Sequence, residues 1–310
     1  MFHAGLETGY PPELWNVEYP DRVTTLHASF IAAGADIILT NSFGGTSFRL
    51  KLHQAENSVN ALNLAAAGLA RQAADVADKP VLVAGSMGPT GELFQPLGAL
   101  TADAAEQAFA EQAFALAEGG ADLLWIETMS SLEEVEGCCQ GARRTNLPVA
   151  ATMTFDTAGR TMMGSHQLPI LNLQHHLVLT PLGLIVEIGP AELLDSVHKF
   201  KHREKNPAVI AKGNCGIPVY VDGKVHYHGT PELMADYAVL ARDLGVKIIG
   251  GCCGTSPEHV RAMAQALNQT PFASPATLAE IEVKLGKPWK DLPDSAEDGQ
   301  SRRRRRRRRG

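Results

Sequence analysis

With 310 residues, 45% hydrophobic and 20% charged, the chain can bury a sizeable core as one large barrel or two smaller domains. No apolar stretch is long enough to cross a membrane, no signal-like segment opens the sequence, and five cysteines (two adjacent pairs plus Cys215) do not make a secreted disulfide framework, so a reducing cytoplasm is expected. The formal net charge of −6 includes eight consecutive arginines, Arg302 to Arg309, which leaves the remaining body at −14 and argues against nucleic-acid binding.

In chain order, short β-rich apolar runs alternate with longer helical patterns. Runs at 36–40, 80–84, 122–127, 148–154, 183–188, 208–212 and 246–250 predict seven strands. Ala-rich stretches at 57–77, 102–118, 132–142, 231–244 and 257–267 predict helices between them. Thr101, Ser131 and Thr230-Pro231 supply start signals for three of these. Three similar entries, Gly34-Ala35-Asp36, Gly120-Ala121-Asp122 and Gly245-Val246-Lys247, place a glycine where one helix ends and the next strand begins. Near-continuous apolar strands between helices indicate a parallel sheet. The pattern predicts an α/β fold of the (β/α)8 TIM-type barrel class, lacking one strand. An open doubly wound sheet is the alternative, but no Gly-x-Gly-x-x-Gly follows the first strand. The barrel domain is expected to span 1–273. Residues 274–310 read as an extension with one apolar turn at 278–285, and the polar 291–301 leads into a solvated, accessory arginine tail.

Barrels of this type gather their chemistry at the carboxyl ends of the strands. Those ends read Thr40-Asn41-Ser42-Phe43, Gly85-Ser86-Met87-Gly88-Pro89-Thr90-Gly91, Glu127-Thr128, Gly213-Asn214-Cys215-Gly216 and Gly250-Gly251-Cys252-Cys253-Gly254-Thr255. Adjacent cysteines rarely bond to each other, whereas two thiolates flanked by glycines can share one soft ion, and zinc suits them. Glu127 ends an apolar strand, so its carboxylate needs a partner, either a structural cation or a ligand's ammonium group. A phosphate cradle at Gly85 is weak, because Pro89 removes a donor and no lysine follows. His166, His175, His176, His226 and His228 show no metal-ligand spacing, and Cys138-Cys139 falls mid-helix as core.

Together these strand-end motifs resemble the zinc-dependent homocysteine S-methyltransferases, and Tyr10-Pro11-Pro12-Glu13-Leu14-Trp15-Asn16 is similar to bacterial betaine–homocysteine methyltransferases. The resemblance runs to about Leu267. It implies a barrel in which three cysteine thiolates hold Zn2+ and the sulfur of homocysteine attacks the methyl group of a small onium donor, giving methionine. It implies that Glu127 binds the homocysteine amino group, with Thr40 and Asn41 also at the substrate. Trp15, Phe43 and Tyr220 are candidate walls for a quaternary ammonium. A methyl-folate or S-methylmethionine donor, and a homo-oligomer, also fit the resemblance.

The sequence departs from that family at two places. The resemblance implies an opening strand with an Asp-Gly-x-x-Gly-Thr turn, which does not precede Met1-Phe2-His3, so the barrel is expected to lack its first strand. Where the family has Asn-Cys-Gly after its sixth strand, 184–190 holds no cysteine, and 165–188 is unlike the family throughout. Read one base out of frame, codons for 184–187 can encode Ala-Asn-Cys-Gly, the signature of a compensated frameshift that resequencing the DNA would test. Cys215 is then the candidate third thiolate beside Cys252 and Cys253, against a plain reading as a small buried residue in a tight Asn-Cys-Gly turn; Glu187 is a weaker substitute, because an oxygen ligand makes the site harder, and an inactive barrel of the same family is the competing expectation.

Overall fold

The computed structural model describes residues 1, 4–129, 131–154, 182–186, 189–201, 209–216, 218–221 and 224–288. Seven strands form one parallel sheet in sequence order: β1 (Ile37–Leu39), β2 (Leu82–Met87), β3 (Leu123–Met129), β4 (Val149–Thr154), β5 (Leu182–Val186), β6 (Val209–Gly213) and, after a hairpin, β9 (Ile248–Gly251). All seven predicted strands are present. The hairpin, β7 (Pro218–Val221) with β8 (Lys224–Tyr227), is antiparallel and was not anticipated. Among the described residues, β1 and β9 pair on one side only.

Helices cover the outer face. They are α1 (Trp15–Glu18), α2 (Pro20–Ala32), α3 (Ser47–Lys51), α4 (Val59–Asp75), α5 (Ala102–Glu118), α6 (Leu132–Arg143), α7 (Pro190–Lys201), α8 (Pro231–Asp243), α9 (Pro257–Gln269) and α10 (Leu278–Leu285). The expected caps are made: the side chains of Thr101, Ser131 and Thr230 accept from the amides of Ala104, Glu134 and Leu233. Gly34, Gly120 and Gly245 all take positive φ (+109°, +100° and +82°), which ends each helix and releases the chain into the next strand. The helical layer curls back on itself. Helix α9 packs on α2, where Gly34 comes so close to Ala264 that a Cβ there would lie 3.0 Å from the alanine methyl.

Side chains alternate across a strand, and that parity places the site. Along β3, Leu124 and Ile126 join the large core under the helices, while Leu123 and Trp125 join a small inner cluster with Ala84, Ala150 and Ile210. The same parity carries Ser86, Glu127, Lys212 and Cys252 inward, above that inner cluster. Tyr237 ties the last two strands together: fully buried, it donates to the carbonyl of Ala211 at 2.8 Å and reaches that of Gly250 at 3.3 Å. Burial of such a side chain contributes about 1.5–3 kcal/mol. Helix α10 packs on α7 and α8 and buries Ile281 completely. No helix among the described residues is long and apolar enough to cross a membrane. The arginine run, His166, His175, His176 and Glu187 lie outside the described residues.

Candidate active site

A polar chain crosses the carboxyl end of the sheet. The hydroxyl of Thr40 shares a hydrogen bond with Ser42 at 2.6 Å and accepts from the Ser86 amide at 2.9 Å. The Ser86 hydroxyl donates to Glu127 Oε1 at 2.5 Å, and the Lys212 ammonium donates to Glu127 Oε2 at 2.6 Å. Lys212 also lies 5.4 Å from the centre of the Trp125 ring. Burial works against the ammonium, but attraction to Glu127, then to Cys252, outweighs it and leaves the Lys212 pKa above its ordinary value. Glu127 thus has a structural partner already. A carboxylate has about four lone-pair sites, so two donors leave room for a ligand's ammonium group.

Local strain aims Glu127. Between Ile126 and Met129 the pairing with β4 slips, so Glu127 and Thr128 together oppose Thr152. Thr128 takes φ +62°, an unusual conformation for a β-branched residue, and its cost of about 1–3 kcal/mol is borne by the packing around it.

The loops after β1 and β2 interlock. Gly88 donates to the Phe43 carbonyl at 3.0 Å, and a Cβ on Gly88 would fall 2.6 Å from the Phe43 ring, which explains that glycine. Thr90 donates twice to Glu134 at the start of α6, at 2.8 and 2.7 Å. The glycine-rich loop is therefore strapped to a helix rather than shaped as a phosphate cradle. The Asn41 amide is spent on the carbonyl of Pro12 (2.7 Å) and on Asn16 (3.0 Å), fastening the amino-terminal turn to β1. A cavity of ≈ 360 Å³ opens between these pieces, lined by Tyr10, Glu13, Thr40, Asn41, Phe43, Arg49, Ser86 and Glu127 among others. All three predicted substrate residues face it, though Asn41 serves chiefly as a fastener. Phe43 is on the cavity wall. Trp15 is buried beside Leu6 and Val23, with Arg22 5.1 Å over its ring, and the Tyr220 side chain lies outside the described residues.

The thiols lie at the ends of β6 and β9. Cys215 and Cys253 are joined through the backbone, amide to carbonyl at 2.8 Å, and the Cys252 amide donates to the Gly213 carbonyl at 2.8 Å. Gly254 turns the chain with φ +78° and leaves space for the Tyr227 ring of the hairpin. A hydrogen bond with Cys253, then burial, holds the Cys252 thiol well above its ordinary pKa, and the Lys212 charge opposes them. The buried Cys215 thiol is raised by burial and donates to the Gly229 carbonyl at 3.1 Å. Among the described residues, no three His, Cys, Asp or Glu side chains are grouped as a metal ion needs. Three thiols on two hydrogen-bonded turns have the donor chemistry of a soft ion, and Cys215 must leave Gly229 to join the other two.

A family model for homocysteine S-methyltransferase matches residues 6–267. The chain belongs to the homocysteine S-methyltransferase family. Methionine synthases of Mycobacterium tuberculosis and Mycobacterium leprae are each 30% identical to this homocysteine S-methyltransferase domain over 265 residues, covering 82% of the chain. The chain spans only 22% of the length of those relatives. The crystal structure of the homocysteine methyltransferase MmuM from Escherichia coli, metallated form, superposes with a TM-score of 0.70 at 22% identity, covering 85% of this chain and 91% of MmuM. Its apo form gives 0.65 at 19%, covering 86% and 91%. That likeness supports the TIM-barrel type of the fold.

Sequence reading missed Lys212, Glu13 and Arg49. The signal for Lys212 was available, since like Glu127 it is a charged residue at the end of an apolar strand.

Proposed function

We propose that this chain transfers a methyl group from a small, betaine-like onium donor to the sulfur of homocysteine, using zinc held by Cys252, Cys253 and Cys215. Family membership supports the acceptor. The observation that carries the reading is the convergence on one inner face of Glu127, Lys212 and Cys252, beside a cavity with an aromatic wall. When bound, zinc keeps the acceptor sulfur as thiolate at neutral pH, where a free thiol is mostly protonated. Glu127 accepts a hydrogen bond from the homocysteine amino group with its remaining lone pairs, while Lys212 and Ser86 hold the carboxylate in place. Phe43 and Tyr10 hold the onium by cation–π contact, which brings its methyl carbon toward the sulfur. The sulfur lone pair forms the new S–C bond, the N–C bond breaks onto nitrogen, and the donor leaves as a neutral amine. No proton moves in that step, because the thiol has given up its proton before it attacks.

The Cys215 hydrogen bond to Gly229 favours a second reading, a barrel of this family without catalysis. Zinc analysis of chelator-washed protein and of Cys215→Ser, with methionine assayed from betaine, S-methylmethionine and methyl-folate, separates the two. Near-stoichiometric zinc that falls in the variant, together with methionine from betaine, supports the proposal. Zinc-free protein that makes no methionine from any donor sinks it.

A further inference from the structure

The cavity carries two charges of opposite sign that no described residue answers with a counter-charge. Glu13, on the turn Pro12–Leu14, is only 5% exposed. Its Oε1 accepts from the Gly44 amide at 2.6 Å, and a Cβ on Gly44 would fall 2.9 Å from that oxygen, so the contact needs glycine. Oε2 has no hydrogen-bond partner among the described residues. Across the cavity, Arg49 on α3 is half-buried against Gly91, with its guanidinium 3.1 Å from where a Cβ would stand. It too makes no ion pair or side-chain hydrogen bond with any described residue. Several other arginines are answered: Arg71 meets Asp75 and Asp122, Arg242 meets Asp243, and Arg22 stacks on Trp15 and Tyr19.

A buried carboxylate without a cation is costly, and Glu13 and Arg49 do not pair with each other. A ligand that carries both charges resolves both. We infer that Glu13 and Arg49 read the two ends of a zwitterionic methyl donor, an onium carboxylate: Glu13 Oε2 faces the onium, and the Arg49 guanidinium takes the carboxylate through two parallel N–H bonds. The inference rests on the donor reading above and narrows it, because an onium without an acidic group would leave Arg49 unanswered. Glu127 is a poor rival for the donor's cation, since in that reading its remaining lone pairs go to the homocysteine amino group.

The test is calorimetric binding of betaine, choline (an onium with no carboxylate) and homocysteine to the full chain, with methionine formation assayed alongside. Arg49→Met is expected to weaken betaine at least ~10-fold, the scale of a charge-assisted bond, and to leave choline within about twofold. Arg49→Lys should restore part of the betaine affinity. Glu13→Gln keeps the bond from Gly44 and should weaken betaine and choline alike. Homocysteine binding should be unchanged in all three variants, which also reports that they are folded. Wild-type preference for betaine over choline that persists in Arg49→Met overturns the inference and leaves the methyltransferase reading standing. Wild-type protein that binds homocysteine but neither binds nor uses any onium overturns both.

Discussion

The two sides of the candidate site are built to different standards. On the carboxylate side, β2 and β3 are almost wholly buried, and Thr40, Ser86, Glu127 and Lys212 form an unbroken chain of hydrogen bonds from β1 through to β6. On the thiol side, every residue of β9 is partly exposed, Cys253 is exposed, and the Cys215 thiol is occupied by a carbonyl. One side is rigid before any ligand arrives. The other has its backbone in place and its sulfurs not yet converged. Such a division is expected where bound metal supplies part of the local order, because an ion that binds only the ordered state stabilises it.

The largest effect tests that division. Cys252→Ser should cost at least ~10²-fold in methionine formation, the scale at which even residues behind metal ligands act, with little change in the urea midpoint of zinc-free protein. A large loss of apo stability would mean that the thiol side is as built-in as the carboxylate side. Next is Lys212→Met, which strands a buried carboxylate and should cost about 3–5 kcal/mol by chemical denaturation. The double variant with Glu127→Met should recover most of that loss. Failure to recover would show that Lys212 supports the thiols more than it supports Glu127.

Acid should loosen the packing around α2. His27 on α2 is buried with Nε2 unpartnered, and burial lowers its pKa from 6.5 to about 4. The unfolded chain then binds a proton that the fold refuses, so stability is full above pH 6.5, falls as pH drops toward 4, and levels off below. That shift amounts to about 3 kcal/mol. Melting temperatures across this range should fall in the wild type and flatten in His27→Leu. The smallest effect is at Thr128. Replacement by glycine relieves a strained φ but adds backbone freedom to the unfolded chain, so stability should change by no more than about 1 kcal/mol while KM for homocysteine rises. An unchanged KM would mean that the slip does not aim Glu127.

The strands and most helices were legible because each is a local pattern: apolar runs of strand length, a capping Thr or Ser, a glycine at three helix exits. Glu127 and the Cys252-Cys253 pair were legible because their chemistry is odd for their place. Lys212 was passed over because its ion-pair partner Glu127 lies 85 residues away, which no local window contains. Glu13 and Arg49 sit on a three-residue turn and a five-residue helix, too short for any periodicity to mark a face. The left-handed Thr128 has no signature at all, since nothing in its side chain favours that conformation.

The slip at Thr128 also separates two kinds of inheritance. Upstream of it, Leu124 to Ile126 fix the direction of Glu127 through their register with β4. Downstream, Met129 resumes pairing one residue out of step. The extra residue is absorbed in the backbone, so drift in the loop toward α6 does not propagate back to the carboxylate. In the proposed reading, that loop can diverge toward different methyl donors while Glu127, as the handle for the acceptor, stays where it is.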